Sequence, residues 1–438
     1  MGDNSVKIDW LDPLNFAQKV AANYSEESWI LLYSGLNNKI KNSSSYIAVF
    51  PEEKIICDDF SSAEKIIKSS DKKWFGYFAY EVGSEFEKLP KTKKSFVDLP
   101  KIWLNRFAVV LEFNHEKRSV TATYSDKKKL DKVLKWTQSC DGVTNIELGT
   151  KSSQIVTPSH DGVQSNFTDK SYLAAISDIR EKISIGEFYQ TNLTRKFFGE
   201  FTQKQNQQQA FQLFSHLTKL SPANYSSFLK LGDNYVISSS PELFLSAKNG
   251  KILSRPIKGT APRGSTLAQD RKNKSLLKNS IKECAENLMI VDLVRNDLSR
   301  ICKAGSVVVK KLFAITSYQN IHHMSSEIHG KIAENFCAFD AIRSCFPAGS
   351  MTGAPKIKAA EIAAKKEKLD RGIYSGTIGI FSRDEINSSV VIRTLVLRGK
   401  KFEFQVGGAI TFDSDPKSEL EEIFNKARGI LKLLKIKL

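Results

Sequence analysis

Several groups of residues in this 438-residue chain have the types and spacing to do chemistry. The first is Arg255-Pro256-Ile257-Lys258-Gly259-Thr260. Pro256 fixes its own φ, and Gly259 permits backbone geometry that other residues resist. A lysine on so stiff a turn presents its ammonium in a defined direction. When such a group is partly buried its pKa falls and it can act as a nucleophile. By itself the pattern marks an exposed turn lysine more often than a reactive one.

Carboxylates form the second group. Glu283 and Glu286 lie three residues apart in a helical run, Ala285 to Asp297, that places acids among apolar residues. Glu419 and Glu422 repeat the spacing near the C-terminus. Residues three apart share a helix face. Two carboxylates from different helices can hold Mg²⁺ and leave positions open for an anionic substrate. Glu283 and Glu419 are read as solvent-facing; for Glu286 and Glu422 the surface and metal-ligand readings both stay open.

Anion-binding candidates follow. Gly407-Gly408-Ala409 comes after the strand-like Phe402 to Val406. Small residues there let a ligand approach backbone N–H groups, although a bulge or tight turn needs the same residues. Ser350-Met351-Thr352-Gly353-Ala354-Pro355-Lys356 opens a helix, with Pro355 in its first turn, and a helix start attracts anions. Arg393 ends the strand-like run Ser389 to Arg393 and can grip a carboxylate bidentately, or serve as a surface salt-bridge arginine. Tyr374 can donate to the same kind of group, or sit half-buried in the core. Taken together these residues describe a pocket for a small polyanion with Mg²⁺, a lysine and an arginine clamp.

The elements that must position these groups are legible in outline. Trp29 to Tyr33, Tyr46 to Phe50 and Phe107 to Leu111 read as buried strands within a segment spanning 1–125. Residues 126–167 turn polar, with Asp141-Gly142 and Asp161-Gly162, and read as a linker. From Thr168 a helix begins, and 168–438 reads as the catalytic domain. Helices are expected over about 280 to 300 with Ser280 as cap, and from Asp415-Pro416 to the end. Strands and helices alternate without a βαβ rhythm or a GxGxxG fingerprint, which favours an α+β antiparallel architecture.

Composition excludes several classes. No apolar run approaches the roughly 20 residues of a membrane span, and the first residues lack the pattern of a signal peptide. Six scattered cysteines without a CxxC pair indicate neither zinc nor a disulfide framework, so a cytoplasmic setting is expected. The net charge of +17 is spread thinly, in clusters without aromatic interleaving. Neither nucleic acid nor a membrane is expected as a partner.

The ordered segments Gly186 to Leu193, Ser239-Ser240-Pro241-Glu242, Arg255 to Thr260, Ala285 to Asp297, Pro347 to Lys356, Arg371 to Tyr374, Ile392-Arg393-Thr394 and Glu419 to Lys426 resemble the chorismate-utilising enzymes. That family includes anthranilate synthase component I and aminodeoxychorismate synthase component I. The resemblance implies two large antiparallel sheets packed face to face with helices on the outer faces. It implies that Glu286 and Glu422 bind Mg²⁺. Arg393 and Tyr374 would clamp the enolpyruvyl carboxylate with help from Gly407 and Gly408, and Thr352 would contact substrate. Lys258 would attack ring C2, with Glu242 in proton transfer and Thr260 in positioning.

Within the family, lysine at position 258 resembles the aminodeoxychorismate synthases, where anthranilate synthases usually carry alanine. The implied reaction joins chorismate and ammonia into 4-amino-4-deoxychorismate, on the way to 4-aminobenzoate and folate. The alternative is conversion of chorismate to anthranilate. Asp340 falls where anthranilate synthases tend to have histidine. Ala409, Cys284 and Glu283 depart from the usual glycine, arginine and aspartate. Tyr33-Ser34-Gly35, Trp74 to Gly83, Pro222 and Tyr225 match a region that forms a tryptophan pocket in relatives. No cysteine sits in a Gly-x-Cys-x-Gly elbow, so ammonia is expected from solution or from a separate glutamine amidotransferase subunit.

Overall fold

The computed structural model describes residues 4–36, 43–87, 89–138, 162–319 and 321–436. Every ladder between its strands is antiparallel, and all the strands connect into one sheet that doubles back on itself. The strands Ser44–Cys57 and Ile102–Asn114 are long enough to belong to both halves. One half of Ile102–Asn114 pairs with Ser119–Tyr124 and the other with Trp74–Phe78. Between the halves the register slips at Pro51/Glu53, and Phe50 takes a φ of 63°. A bulge of this kind bends a strand and re-aims it.

From this bend the first layer runs through Trp29–Tyr33, Tyr225–Leu231, Asn234–Ser240, Thr394–Arg398, Lys401–Ile410 and Gln190–Glu200. The second runs through Trp74–Phe78, Thr377–Phe381, Ile386–Val390, Leu243–Lys248, Lys251–Arg255 and Ile321–Lys331.

Side-chain alternation shows that the layers face each other. Ile30, Leu229, Val236 and Val396 of the first layer share one core with Phe75, Tyr77, Ile378 and Ile380 of the second. Their neighbours point outward. Leu31, Phe228, Ile237 and Leu395 pack beneath the helices Pro13–Asn23, Asp169–Ser184, Gln207–Leu220 and Pro416–Leu434. Trp74, Phe78 and Phe381 pack beneath Phe60–Lys68 and Ile281–Ser299. Burial on both faces explains the uninterrupted apolar runs in sequence. Each large side chain so covered contributes roughly 1.5–3 kcal/mol. The expected sandwich with outer helices is therefore present, as one continuous sheet.

The expected helices form with their caps. Thr168 caps Asp169–Ser184 in a reciprocal capping box, Ser280 accepts from the N–H of Glu283, and Asp415 accepts from that of Ser418. Pro355 lies one position earlier than expected, as the cap of Lys356–Glu367. Within the expected linker, Lys127–Gln138 is helical and buries Leu130 and Val133 in the first-layer core, while 139–161 lie outside the described residues.

One expected strand is broken. The run Ser389 to Arg393 leaves its strand after Val390, and the next strand starts at Thr394. The chain is crossing here from the second layer to the first, and Arg393 takes a left-handed φ of 51° to do so. Ser240-Pro241-Glu242 makes the reverse crossing beside it. The two crossings are tied by backbone bonds from the N–H of Ser239 to the carbonyl of Arg393 and from that of Val390 to the carbonyl of Glu242.

Candidate active site

The paired crossings carry Glu242 and Arg393 to one place. The short strand Ile257–Pro262 brings Lys258 beside them, paired to Ile321–Lys331 with Ile257 opposite Ser325 and Thr260 opposite His323. The register slips between these pairs, and Gly259 takes a φ of 85°. The positive φ favours glycine here, and a Cβ on Gly259 would lie 2.9 Å from Glu283 Oε2, so that carboxylate would have to shift to admit one. Helices from opposite outer faces complete the cluster. Ile281–Ser299 contributes Lys282, Glu283 and Glu286, and Pro416–Leu434 contributes Glu419, Glu422 and Lys426.

Lys258 is half-buried. Burial pushes its pKa below that of an ordinary lysine, and Lys426 adds to the effect, whereas Glu286, Glu242 and Glu422 oppose it. Glu242 is 4% exposed and accepts a 2.7 Å hydrogen bond from Ser350 Oγ. Burial raises its carboxyl to about 7, against the pull of Ser350, Lys258 and Lys426. A cavity of about 10 Å³ lies behind it, lined by Ser254, Pro256 and Asp297. That is room for one water.

Glu286 is buried, and desolvation lifts its carboxyl to about 7 although Lys258 and Lys282 favour the charged form. Glu422 lies at the rim with 47% of its side chain exposed, 2.6 Å from Lys426 Nζ, which holds it below the usual carboxylate range. Lys426 also donates to the carbonyl of Gly407 at 2.9 Å. Glu419 is not solvent-facing as expected: it is 3% exposed, accepts from Ser414 Oγ at 2.7 Å and pairs with Lys282 at 3.3 Å. Glu283 is half-buried rather than free in solvent.

The donor set suits Mg²⁺. Glu286 and Glu422 offer hard oxygens, and among the described residues no three His, Cys, Asp or Glu side chains form an all-protein cage. Magnesium is ordinarily held by one or two carboxylates with other positions left for water and substrate.

Arg393 donates to Ser221 Oγ at 3.3 Å, and no carboxylate of the described residues is in ion-pair contact with it. Burial lowers its pKa. A desolvated guanidinium without a counter-charge is costly unless an anion arrives. Gly407 and Gly408 lie inside the strand Lys401–Ile410, not after it, opposite Thr194 and Leu193. The pairing of that strand with Thr394–Arg398 ends at Phe404. Its other edge from Gln405 to Ile410 therefore has no strand partner among the described residues. Tyr374 is buried, and desolvation raises its phenol above the ordinary value, with the charge of Glu242 adding to the rise.

Two expected residues stand differently. Thr352 is buried, with its hydroxyl 3.3 Å from the carbonyls of Ala348 and Gly349. Thr260 is exposed beside the site. Asp340 spends its carboxylate on Lys68 and on the N–H of Cys337, which are not residues of the site.

Sequence reasoning missed His323. It is 3% exposed, and neither ring nitrogen has a hydrogen-bonding partner among the described residues. Burial and the charge of Arg393 lower it to about 3, so the ring is neutral. His323 stands in the mixed-polarity strand Ile321–Lys331, beside His322 and Ser325, and no local pattern there marks one histidine as buried and unpartnered. Lys426, one turn after Glu422, and Lys282, one turn before Glu286, were also passed over.

A second cavity, of about 290 Å³, lies between the layers and is lined by Tyr33, Ser34, Tyr225, Arg255 and Ser389 among others. It unites Tyr33-Ser34 with Tyr225, which the family resemblance associates with a tryptophan pocket.

The family model for chorismate binding enzymes matches residues 16–432. The chain is 34% identical to aminodeoxychorismate synthase component 1 of Salmonella typhimurium, covering 81% of this chain and 75% of that one. It is 30% identical to anthranilate synthase component 1 of Lactococcus lactis, covering 87% and 83%. Among solved structures it resembles anthranilate synthase component I from Streptococcus pneumoniae, with a TM-score of 0.76 at 23% identity over 91% of this chain and 93% of that one. No helix among the described residues is long and apolar enough to cross a membrane. A match over nearly its whole length, to a fold that brings these residues together, makes the chain a member of the chorismate binding enzymes.

Proposed function

We propose that the chain is the synthase component that converts chorismate and ammonia to 4-amino-4-deoxychorismate. The observation that carries this reading is Lys258, half-buried among Glu242, Glu286 and Glu422 with its pKa lowered by desolvation. A lysine so placed has an accessible neutral form, as a nucleophile requires. Relatives bearing the name aminodeoxychorismate synthase component 1 at 34% identity support it.

In the first half-reaction Lys258 Nζ bonds to ring C2. The diene shifts, and the C4–O bond breaks. Hydroxide is a poor leaving group, so it departs as water with a proton from Glu242, whose carboxyl near 7 can hold that proton at neutral pH. In the second half-reaction ammonia bonds to C4, the diene returns, the C2–N bond breaks and free lysine is restored. The proton released from the entering nitrogen returns to Glu242.

Arg393, with Tyr374 and the open edge at Gly407-Gly408, grips the enolpyruvyl carboxylate. His323, neutral and beside Arg393, hydrogen-bonds the substrate. Glu286 and Glu422 are the residues that would hold Mg²⁺. When bound, the ion supplies Lewis-acid stabilisation of charge at the ring carboxylate. Ammonia comes from a separate glutamine amidotransferase subunit, in keeping with the designation "component 1" of the relatives.

The test is incubation of the pure chain with chorismate, Mg²⁺ and ammonium, with identification of the product. Aminodeoxychorismate without pyruvate is expected. Fluorescent anthranilate with an equivalent of pyruvate would overturn this reading in favour of anthranilate synthase.

A further inference from the structure

We propose that Arg371 and Glu367 act together as a positioning unit for the substrate carboxylate clamp, fixing Tyr374 against the Gly407-Gly408 segment. The inference rests on the reading above that Tyr374, Arg393 and Gly407-Gly408 hold the enolpyruvyl carboxylate.

The two side chains form a bidentate pair inside the protein. Arg371 Nε donates to Glu367 Oε2 at 2.9 Å and Nη2 to Oε1 at 2.8 Å, and each side chain is 2% exposed. A buried ion pair is weak evidence for stability, because desolvation offsets much of its attraction. What this pair holds is more telling. The strand Gln190–Glu200 is bordered on one side by Gly353-Ala354, opposite Thr191 and Gln190, and farther on by Gln164-Ser165, opposite Phe198 and Phe197. Between these short ladders no strand of the described residues borders Asn192 to Thr194 on that side. The pair fills the gap. Arg371 Nη2 donates to the carbonyl of Asn192 at 2.8 Å, and Glu367 Oε1 accepts from the N–H of Thr194 at 2.9 Å. Buried backbone groups need such partners.

On its other side the same stretch pairs with Lys401–Ile410, with Thr194 opposite Gly407 and Leu193 opposite Gly408. Contact there is tight, since a Cβ on Gly407 would lie 2.7 Å from Thr194 Cγ2. A shift of Thr194 is therefore passed on to Gly407. Arg371 also opens the turn that leads to Tyr374. Glu81 accepts from the backbone N–H groups of Arg371 and Gly372 at 2.7 and 3.0 Å, which fixes that turn. From there Arg371 Nη1 reaches the carbonyl of Met351 at 2.7 Å. One planar guanidinium thus sets the spacing between the turn of Tyr374 and the strand of Gly407. A lysine ammonium, a point charge on a flexible stem, cannot reproduce that fork. Glu242 has its own bond from Ser350 and is not held by the pair.

The test is the rate of chorismate consumption by the whole chain with Mg²⁺ and ammonium, followed whichever product forms. Arg371→Lys is expected to raise KM for chorismate about tenfold and to leave kcat within about threefold of the parent. KM does not depend on the fraction of enzyme that is folded. A merely structural role would lower the apparent kcat and leave KM in place, and that result overturns the inference. Tyr374→Phe supplies a second readout. It should raise KM about fivefold in the parent but less than about twofold in Arg371→Lys, because a misplaced phenol has little left to lose. Independent effects that multiply in the combined variant overturn the inference.

Should Arg371→Lys not fold, Glu367→Gln decides. It keeps an acceptor for Thr194 but loses the charge that grips the fork, so KM is expected to rise about threefold. A parent KM in that variant overturns the inference. A parent KM in Tyr374→Phe refutes the clamp itself and the inference with it, which is distinct from a parent KM in Arg371→Lys alone.

Discussion

Glu242→Gln separates the chemical role of this carboxyl from its structural one. In the folded protein the group keeps its proton up to about 7, whereas the ordinary value is 4.5. A carboxyl whose pKa is raised on folding binds more protons in the native state than in the unfolded one between those values. Stability therefore falls as pH rises from 4.5 through 7 and is constant above. The shift corresponds to about 3 kcal/mol by linkage. Glutamine carries no charge at any pH and can still accept from Ser350 Oγ.

The variant should match the parent in stability near pH 4 and exceed it by about 3 kcal/mol at pH 8. Urea unfolding across this range measures the difference. The same substitution removes the proton donor for the departing hydroxide and should lower kcat by about 100-fold or more at pH 7. A stability difference that is flat with pH, or that favours the parent at pH 8, would refute the desolvation argument. It would mean that Lys258 and Lys426 keep Glu242 ionised. Normal turnover would remove its role in proton transfer.

Lys258→Ala should lower aminodeoxychorismate output by at least about 100-fold and let some anthranilate form, read by product chromatography; an unchanged rate and product would exclude the covalent role. Glu286→Gln and Glu422→Gln should each raise the Mg²⁺ concentration for half-maximal rate by about tenfold or more, and full activity in the double variant would dismiss both as ligands. Arg393→Lys should raise KM for chorismate by about 10- to 100-fold with a smaller effect on kcat, because a point charge replaces a planar fork. His323→Gln should lower kcat while leaving the pH profile between 5 and 9 in place, since the ring titrates only near 3. A pH limb that vanishes in this variant would show that His323 carries a proton in turnover.

Much of this site was readable from residues alone, because its local rules are strong. Thr168, Ser280 and Asp415 announced their helices through cap chemistry, and the three-residue spacing put Glu283 with Glu286 and Glu419 with Glu422 on shared faces. Buried strands announced themselves as unbroken apolar runs. What misled was context. Glu419 looked like surface, since nothing local reveals that Ser414 and Lys282 lie around it. Asp340 was given weight that its contacts do not support, and His323 passed unnoticed because nothing in its mixed-polarity strand reveals its burial.

The chain alone thus determined the types of group available, their spacing along each helix and the lysine at position 258. Tertiary structure decided which of them meet. Arg393 and Glu242 are about 150 positions apart, yet they become neighbours because two strands change layers side by side. Glu286 and Glu422 come from helices on opposite outer faces of one folded sheet. The lowered pKa of Lys258 belongs to that assembly as well, because desolvation and the field of distant charges exist only once the layers have closed.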